Sequence, residues 1–155
     1  MLFPLPLTPF EYYYWYDDRA EYPTTYPFEL VFSGSLQQDR FRQALRIALD
    51  RHPLLQCIID PGVGRIPSWI PALEQTPPIE TPPVDWSCAE TPITHPDGER
   101  IDLTKSTGLR VWVRHSAETT RLFVQFHHAC CDGLGALRFL KDVMIAYNCL
   151  VLERD

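Results

Sequence analysis

Two adjacent histidines, His127 and His128, end an alternating apolar run and are followed by Ala129, Cys130, Cys131, Asp132 and Gly133. Successive side chains of a strand point to opposite faces, so one imidazole can turn inward while the other faces a cleft. An imidazole accepts a proton near neutral pH, and a positioned base adds a factor of about 10²–10⁴ to a rate. Asp132 lies close enough to orient the turn, and Gly133 lets the backbone bend. Without Asp132 and Gly133 beside it, His128 would read as a core histidine satisfied by backbone. His127, His128, Cys130 and Cys131 are also metal-ligating types. Adjacent ligands on an extended chain diverge, however, and the spacing matches no structural zinc pattern. No metal is expected. Neither thiol has the Cys-His-Asn surroundings of a nucleophile. The chemistry favoured by type and spacing is therefore general base catalysis by whichever of His127 and His128 faces the cleft.

These residues need a strand before them and a helix after them. Leu122, Val124 and Phe126 alternate along residues 121–126, and Leu109, Val111 and Val113 alternate with Arg110, Trp112 and Arg114. With the polar turn Ala117-Glu118-Thr119-Thr120 between them, the two runs predict an antiparallel hairpin. After the turn, Leu137, Leu140, Met144 and Tyr147 line one side of a final helix.

Earlier in the chain, Thr8-Pro9-Phe10-Glu11 combines a capping threonine, a proline at the first helical position and a capping-box glutamate. The helix it opens, Tyr12-Tyr13-Tyr14-Trp15-Tyr16, is aromatic enough to demand a packing partner, with the core favoured over another chain. Residues 27–33 read as a strand. Ser35-Leu36-Gln37-Gln38 predicts a second capping box, opening a helix to about Arg51 with an apolar stripe of Phe41, Ala44, Leu45, Ala48 and Leu49. Pro53 ends it, and Leu54 to Ile59 is a short buried strand.

Nine of the 15 prolines fall between Pro61 and Pro96. Residues 60–108 are therefore expected to be an irregular proline-rich insertion, a long surface excursion with one strand near residues 66–70. A third role, a proline-rich interaction module, lacks a firm PxxP pattern. Asp17-Asp18 and Glu99-Arg100 read as solvated charges. His52 and His95 read as turn residues, and His115 lies on a hairpin face.

The 155 residues suit one domain over 1–155, with a core that needs no disulfide or metal. A net charge of −6 excludes the basic face that nucleic-acid binding demands. No apolar run is long enough for a membrane span. The start, Met1 to Leu7, lacks a basic region and does not read as a signal peptide. Five cysteines without paired spacing point to a reducing, cytoplasmic setting. Element order predicts an α/β or α+β sandwich, a mixed sheet with helices on one face.

His127-His128-x-x-x-Asp132-Gly133 between a strand and a helix resembles the HHxxxDG acyltransferases. This chloramphenicol-acetyltransferase-like superfamily includes the condensation domains of nonribosomal peptide synthetases. Leu7-Thr8-Pro9, the turn Arg51-His52-Pro53-Leu54-Leu55 and the pair Leu109-Arg110 extend the resemblance over nearly all the chain outside the proline-rich stretch. It implies that His128 is the base that deprotonates a hydroxyl or amine acceptor. The acceptor then attacks an acyl thioester on coenzyme A or a phosphopantetheinyl carrier arm, with no covalently bound cofactor and no acyl-enzyme. It implies that Asp132 pairs with an arginine and that Gly133 keeps a channel open. The arginine that often ends the Arg-His-x-x-Leu pattern is here Gln56, which leaves Arg110 as the candidate partner of Asp132. The plant Asp-Phe-Gly-Trp-Gly motif is absent. The chain matches the first of two lobes, so a second lobe or a neighbour in a homo-oligomer would complete the channel. The rival reading is a non-catalytic lobe kept for binding or assembly.

Overall fold

The computed structural model describes residues 3–62, 64–79 and 81–152. In chain order the elements are β1 (Leu5–Pro6), α1 (Pro9–Tyr16), β2 (Thr25–Ser33), α2 (Gln38–Leu49), β3 (Cys57–Asp60), β4 (Ser68–Pro71), β5 (Val84–Cys88), β6 (Pro96–Glu99), β7 (Leu109–His115), β8 (Thr119–His127) and α3 (Gly133–Leu152). Single 3₁₀ turns cover Pro53–Gln56 and Ala72–Glu74. Among the described residues the fold is α+β, with one mixed and one antiparallel sheet and no closed barrel.

The main sheet has the order β2-β8-β7-β5. β7 and β8 form the expected hairpin, in which Val111 faces Val124 and Val113 faces Leu122 across the ladder. β2 pairs antiparallel with the other edge of β8, and β5 pairs parallel with β7. Strand alternation sends Leu109, Val111, Val113, Leu122, Val124 and Phe126 to one face, where all are buried. That face receives the helical stripe Phe41, Ala44, Leu45, Ala48 and Leu49 of α2, and Ala136, Phe139, Leu140, Val143 and Ala146 of α3. Both helices bury one stripe each, so they must lie side by side on the sheet. A second sheet, β1-β4-β3, is antiparallel and joins this core through Cys57, Ile59 and Trp69.

The Arg51-His52 turn fastens α2 to α3. His52 Nε2 lies 3.0 Å from Asp142 Oδ2, and Arg51 Nη1 lies 3.2 Å from Asp142 Oδ1.

Three expectations are corrected. The proline-rich stretch runs largely over the surface, but its last part enters the core. Ile101, Leu103 and Thr107 are fully buried, and residues 91–100 cover the sheet face opposite the helices. Trp112 Nε1–H donates to Thr94 O at 3.2 Å, and Arg114 Nε–H donates to Thr91 O at 2.7 Å. Arg110, Trp112 and Arg114 are buried by this cover, although they alternate like solvent-facing residues. The stretch also holds β5 and β6 beside the anticipated β4.

Second, the capping box at Ser35 does not form, and α2 starts at Gln38 after an N-cap Gln37 that makes no side-chain cap bond. The backbone there is already engaged: Leu36 N–H donates to Thr120 Oγ1, and Gln37 N–H to Tyr147 Oη.

Third, α1 does pack on the core as favoured, but only in part, and it buries no residue fully. Phe10, Tyr13 and Tyr16 are exposed, while Tyr14 and Trp15 pack partly against the core. Its capping box does form, with Thr8 N–H donating to Glu11 Oε2 at 2.6 Å.

Candidate functional site

β8 ends at His127, and the chain then turns tightly into α3. Cys130 N–H and Cys131 N–H both donate to His127 O, at 3.0 and 3.3 Å. His127 N–H donates to Gly108 O, and His128 N–H donates to Thr24 O, both at 2.9 Å. The turn is thus held by backbone on both sides. A Cβ on Gly108 would come within 2.2 Å of Cys130 Sγ, so only glycine lets the turn sit this close to β7.

The two imidazoles diverge as strand geometry requires. His128 is half-buried among aromatic rings. Its ring centroid lies 5.0 Å from Tyr14, stacked, and 4.3 Å from Tyr26. Neither ring nitrogen of His128 is hydrogen-bonded to a described residue. Burial holds its pKa below the ordinary histidine value, and the carboxylate of Asp132 opposes this in part. At neutral pH His128 is uncharged, with a ring nitrogen able to take a proton.

His127 is fully buried. Its Nδ1 accepts Ala129 N–H at 3.0 Å. Its Nε2 lies 3.3 Å from Thr24 Oγ1 and 3.7 Å from Asp18 Oδ2. Asp18, read from sequence as a solvated charge, is instead a buried hub. Its Oδ1 accepts Thr24 N–H at 2.8 Å, and its Oδ2 accepts Arg100 Nε–H at 2.7 Å. Burial opposes its ionisation, but the hydrogen bonds from His127, Thr24 and Arg100 prevail and hold its pKa below the usual aspartate value.

Asp132 caps α3, its Oδ1 accepting Gly135 N–H at 2.6 Å. The expected pairing of Asp132 with Arg110 is not formed. Arg110 is buried on the face opposite the helices, where Nη1–H donates to Gly98 O at 3.4 Å. Strand alternation sends Arg110 away from the end of α3, which is why the pair cannot close. Gly133 is the first residue of α3, and a Cβ there would meet no atom within 4 Å.

Cys130 is buried and its thiol pKa lies well above the ordinary value; burial also pushes the Cys131 thiol up to about 11. Neither is a thiolate near neutral pH. Among the described residues no cluster of three or more His, Cys, Asp or Glu is placed to hold a metal ion. A cavity of ≈ 460 Å³ is walled by Arg100, Asp102, Lys105 and Arg110, among others, and His128 is not part of it.

Asp18, Thr24, Tyr14 and Tyr26 are the site residues that sequence reading missed. For Tyr14 the capped helix start carried a signal, since it fixes which aromatics face β8. For Asp18 no local signal exists.

No family model and no curated protein matches this chain. Solved structures do. The starter condensation domain of rhizomide synthetase RzmA superposes with a TM-score of 0.76 at 13% identity, over 96% of this chain and 38% of that one. The epimerization domain from the third module of tyrocidine synthetase B gives 0.75 at 16%, over 96% and 35%. The X-domain from teicoplanin biosynthesis gives 0.70 at 21%, over 92% and 32%. The chain therefore spans about a third of the length of the domains it resembles.

Proposed function

We propose that this chain, which has the fold of one lobe of a condensation domain, supplies the histidine-bearing lobe of an acyltransferase. The donor is an acyl thioester on coenzyme A or a phosphopantetheinyl carrier protein. The acceptor is a hydroxyl or amine on a small molecule. His128 takes the acceptor's proton as its oxygen or nitrogen bonds to the thioester carbonyl carbon. The C–S bond then breaks, and the leaving thiolate recovers the proton from His128.

One observation carries this reading. His128 offers ring nitrogens with no hydrogen-bonded partner among the described residues, on a half-buried imidazole kept neutral near pH 7. Tyr14 and Tyr26 fix its ring plane. A second lobe, or a neighbour in a homo-oligomer, would close the channel over it. Five free thiols support a reducing, cytoplasmic setting.

A second reading rests on Asp132. With Gln56 where the related pattern carries arginine and no pair to Arg110, the motif aspartate does only a capping job, as it would in a non-catalytic lobe used for binding or assembly. Thiol release from acyl-CoA and acyl-carrier thioesters, with amine or hydroxyl acceptors, separates the two. Acceptor-dependent release is expected. Its absence across donors and acceptors overturns catalysis in favour of the second reading.

A further inference from the structure

The buried carboxylate of Asp18 lies 109 positions from His127 in sequence and shares no element with it. A backbone N–H can only donate, so the Ala129 N–H at 3.0 Å requires a lone pair on His127 Nδ1. The ring proton then sits on Nε2, which faces the Thr24 hydroxyl and the Asp18 carboxylate. The Thr24 hydroxyl, 2.9 Å from Tyr14 O, has its own proton engaged there and can accept from Nε2–H. Every group around this imidazole therefore asks for the same tautomer. The donor to Nδ1 belongs to the turn that carries His128, whose own backbone N–H is held by Thr24 O.

We propose that Asp18, acting through His127, is a positioning residue for His128: it locks His127 as the Nε2–H tautomer, whose Nδ1 anchors the turn at Ala129 and so aims the neighbouring imidazole. Its bearing on catalysis rests on the acyl-transfer reading above; the lock itself does not.

The carboxylate is chemically required. Thr24 N–H and Arg100 Nε–H donate to its two oxygens, and His127 Nε2–H approaches Oδ2. An asparagine has one acceptor. Thr24 N–H belongs to backbone and cannot turn away, whereas the partly exposed Arg100 can. The asparagine oxygen stays with Thr24, and its amide NH₂ meets His127 Nε2. Nε2–H then keeps the Thr24 hydroxyl as its one acceptor, and the form with Nε2 as acceptor, which puts a proton on Nδ1 against Ala129 N–H, gains population.

The test is the ring tautomer of His127, read from ¹⁵N–¹H correlations in the 155-residue chain, with amide exchange at Ala129. Wild type should show Nε2–H alone. Asp18→Asn should populate Nδ1–H and speed Ala129 exchange about tenfold, the change that losing one hydrogen bond produces. Asp18→Glu, which restores a carboxylate, should return the Nε2–H form. In a catalytically active protein, Asp18→Asn should lower kcat on the order of 10–100-fold with KM unchanged. A wild-type ring carrying Nδ1–H overturns the proposal, and that measurement needs no variant. A folded Asp18→Asn protein with an unchanged tautomer and unchanged Ala129 exchange also overturns it, as does a Glu variant as mixed as the Asn one. If His128→Ala leaves transfer untouched, the acyl-transfer reading fails while the tautomer result stands.

Discussion

Tyr26 is bound to the His128 turn twice: its ring lies 4.3 Å from that of His128, and its hydroxyl donates to Cys131 O at 2.9 Å. One side chain from β2 thus packs against the candidate base and ties down the turn beyond it. Tyr26→Phe keeps the ring and loses the hydroxyl bond. The expected cost is about 1 kcal/mol of stability, with faster amide exchange at residues 130–132. Denaturant unfolding and hydrogen exchange measure both.

Asp132 and His128 should separate cleanly on mutation. Asp132→Ala removes the cap on Gly135 N–H and should cost about 0.5–2 kcal/mol. The loss of a buried ion-pair partner would cost on the order of 3–5 kcal/mol, and the absence of a pair with Arg110 argues against that figure. Chemical denaturation of the variant distinguishes the two magnitudes.

Gly108→Ala is the sharpest packing test. Its new Cβ would sit 2.2 Å from Cys130 Sγ and 3.2 Å from Leu103 Cδ2. Overpacking of this kind costs about 1–3 kcal/mol. Cys130→Ala removes the sulfur, so the double variant should recover part of that loss. A double-mutant cycle showing strict additivity would contradict the contact.

The hairpin and α3 were legible in sequence, because alternation in residues 109–126 and the 3.6-residue period after Gly133 each follow from one buried face. That the two imidazoles face opposite ways was legible for the same reason, but not that Tyr14 and Tyr26 would receive His128. The cover over Arg110, Trp112 and Arg114 was not. Its anchors, such as Thr91 O and Thr94 O, are backbone carbonyls that any residue could supply. β5 pairs in parallel with a strand more than twenty residues later; Val84, Trp86 and Cys88 do alternate with Asp85 and Ser87, but nothing local names the strand they join. Asp18 looked solvated because its partners, Arg100 and His127, are 82 and 109 residues away.

Acid should unfold the protein through its paired carboxylates. Asp18, Asp85 and Asp102 all have folded pKa values below the ordinary aspartate value. In Asp85 the leading cause is the hydrogen bond from Arg114, whereas in Asp18 and Asp102 hydrogen bonds overcome burial. A depressed folded pKa stabilises above the unfolded value, and that stability is lost as pH falls through the folded one. The urea midpoint should therefore ease downward below the ordinary imidazole range near 6.5, where unfolded His128 takes up a proton that the folded ring resists, and drop more steeply below about pH 4. Arg114→Met should flatten the part of this drop due to Asp85, since it removes the donor that lies 2.8 Å from Asp85 Oδ2.

On the proposed reading, protonation of His128 sets the acid limb of activity. With its folded pKa below the usual histidine value, transfer should persist through pH 7 and decline only below the ordinary imidazole range near 6.5.

The central claim is that His128 is the base. The direct measurement is the single-turnover rate of acyl transfer from a thioester in wild type and in His128→Ala, with unfolding curves recorded beside it. The predicted result is a rate about 10²–10⁴ lower in the variant, with stability close to wild type. Transfer at the wild-type rate in a folded His128→Ala protein would contradict it.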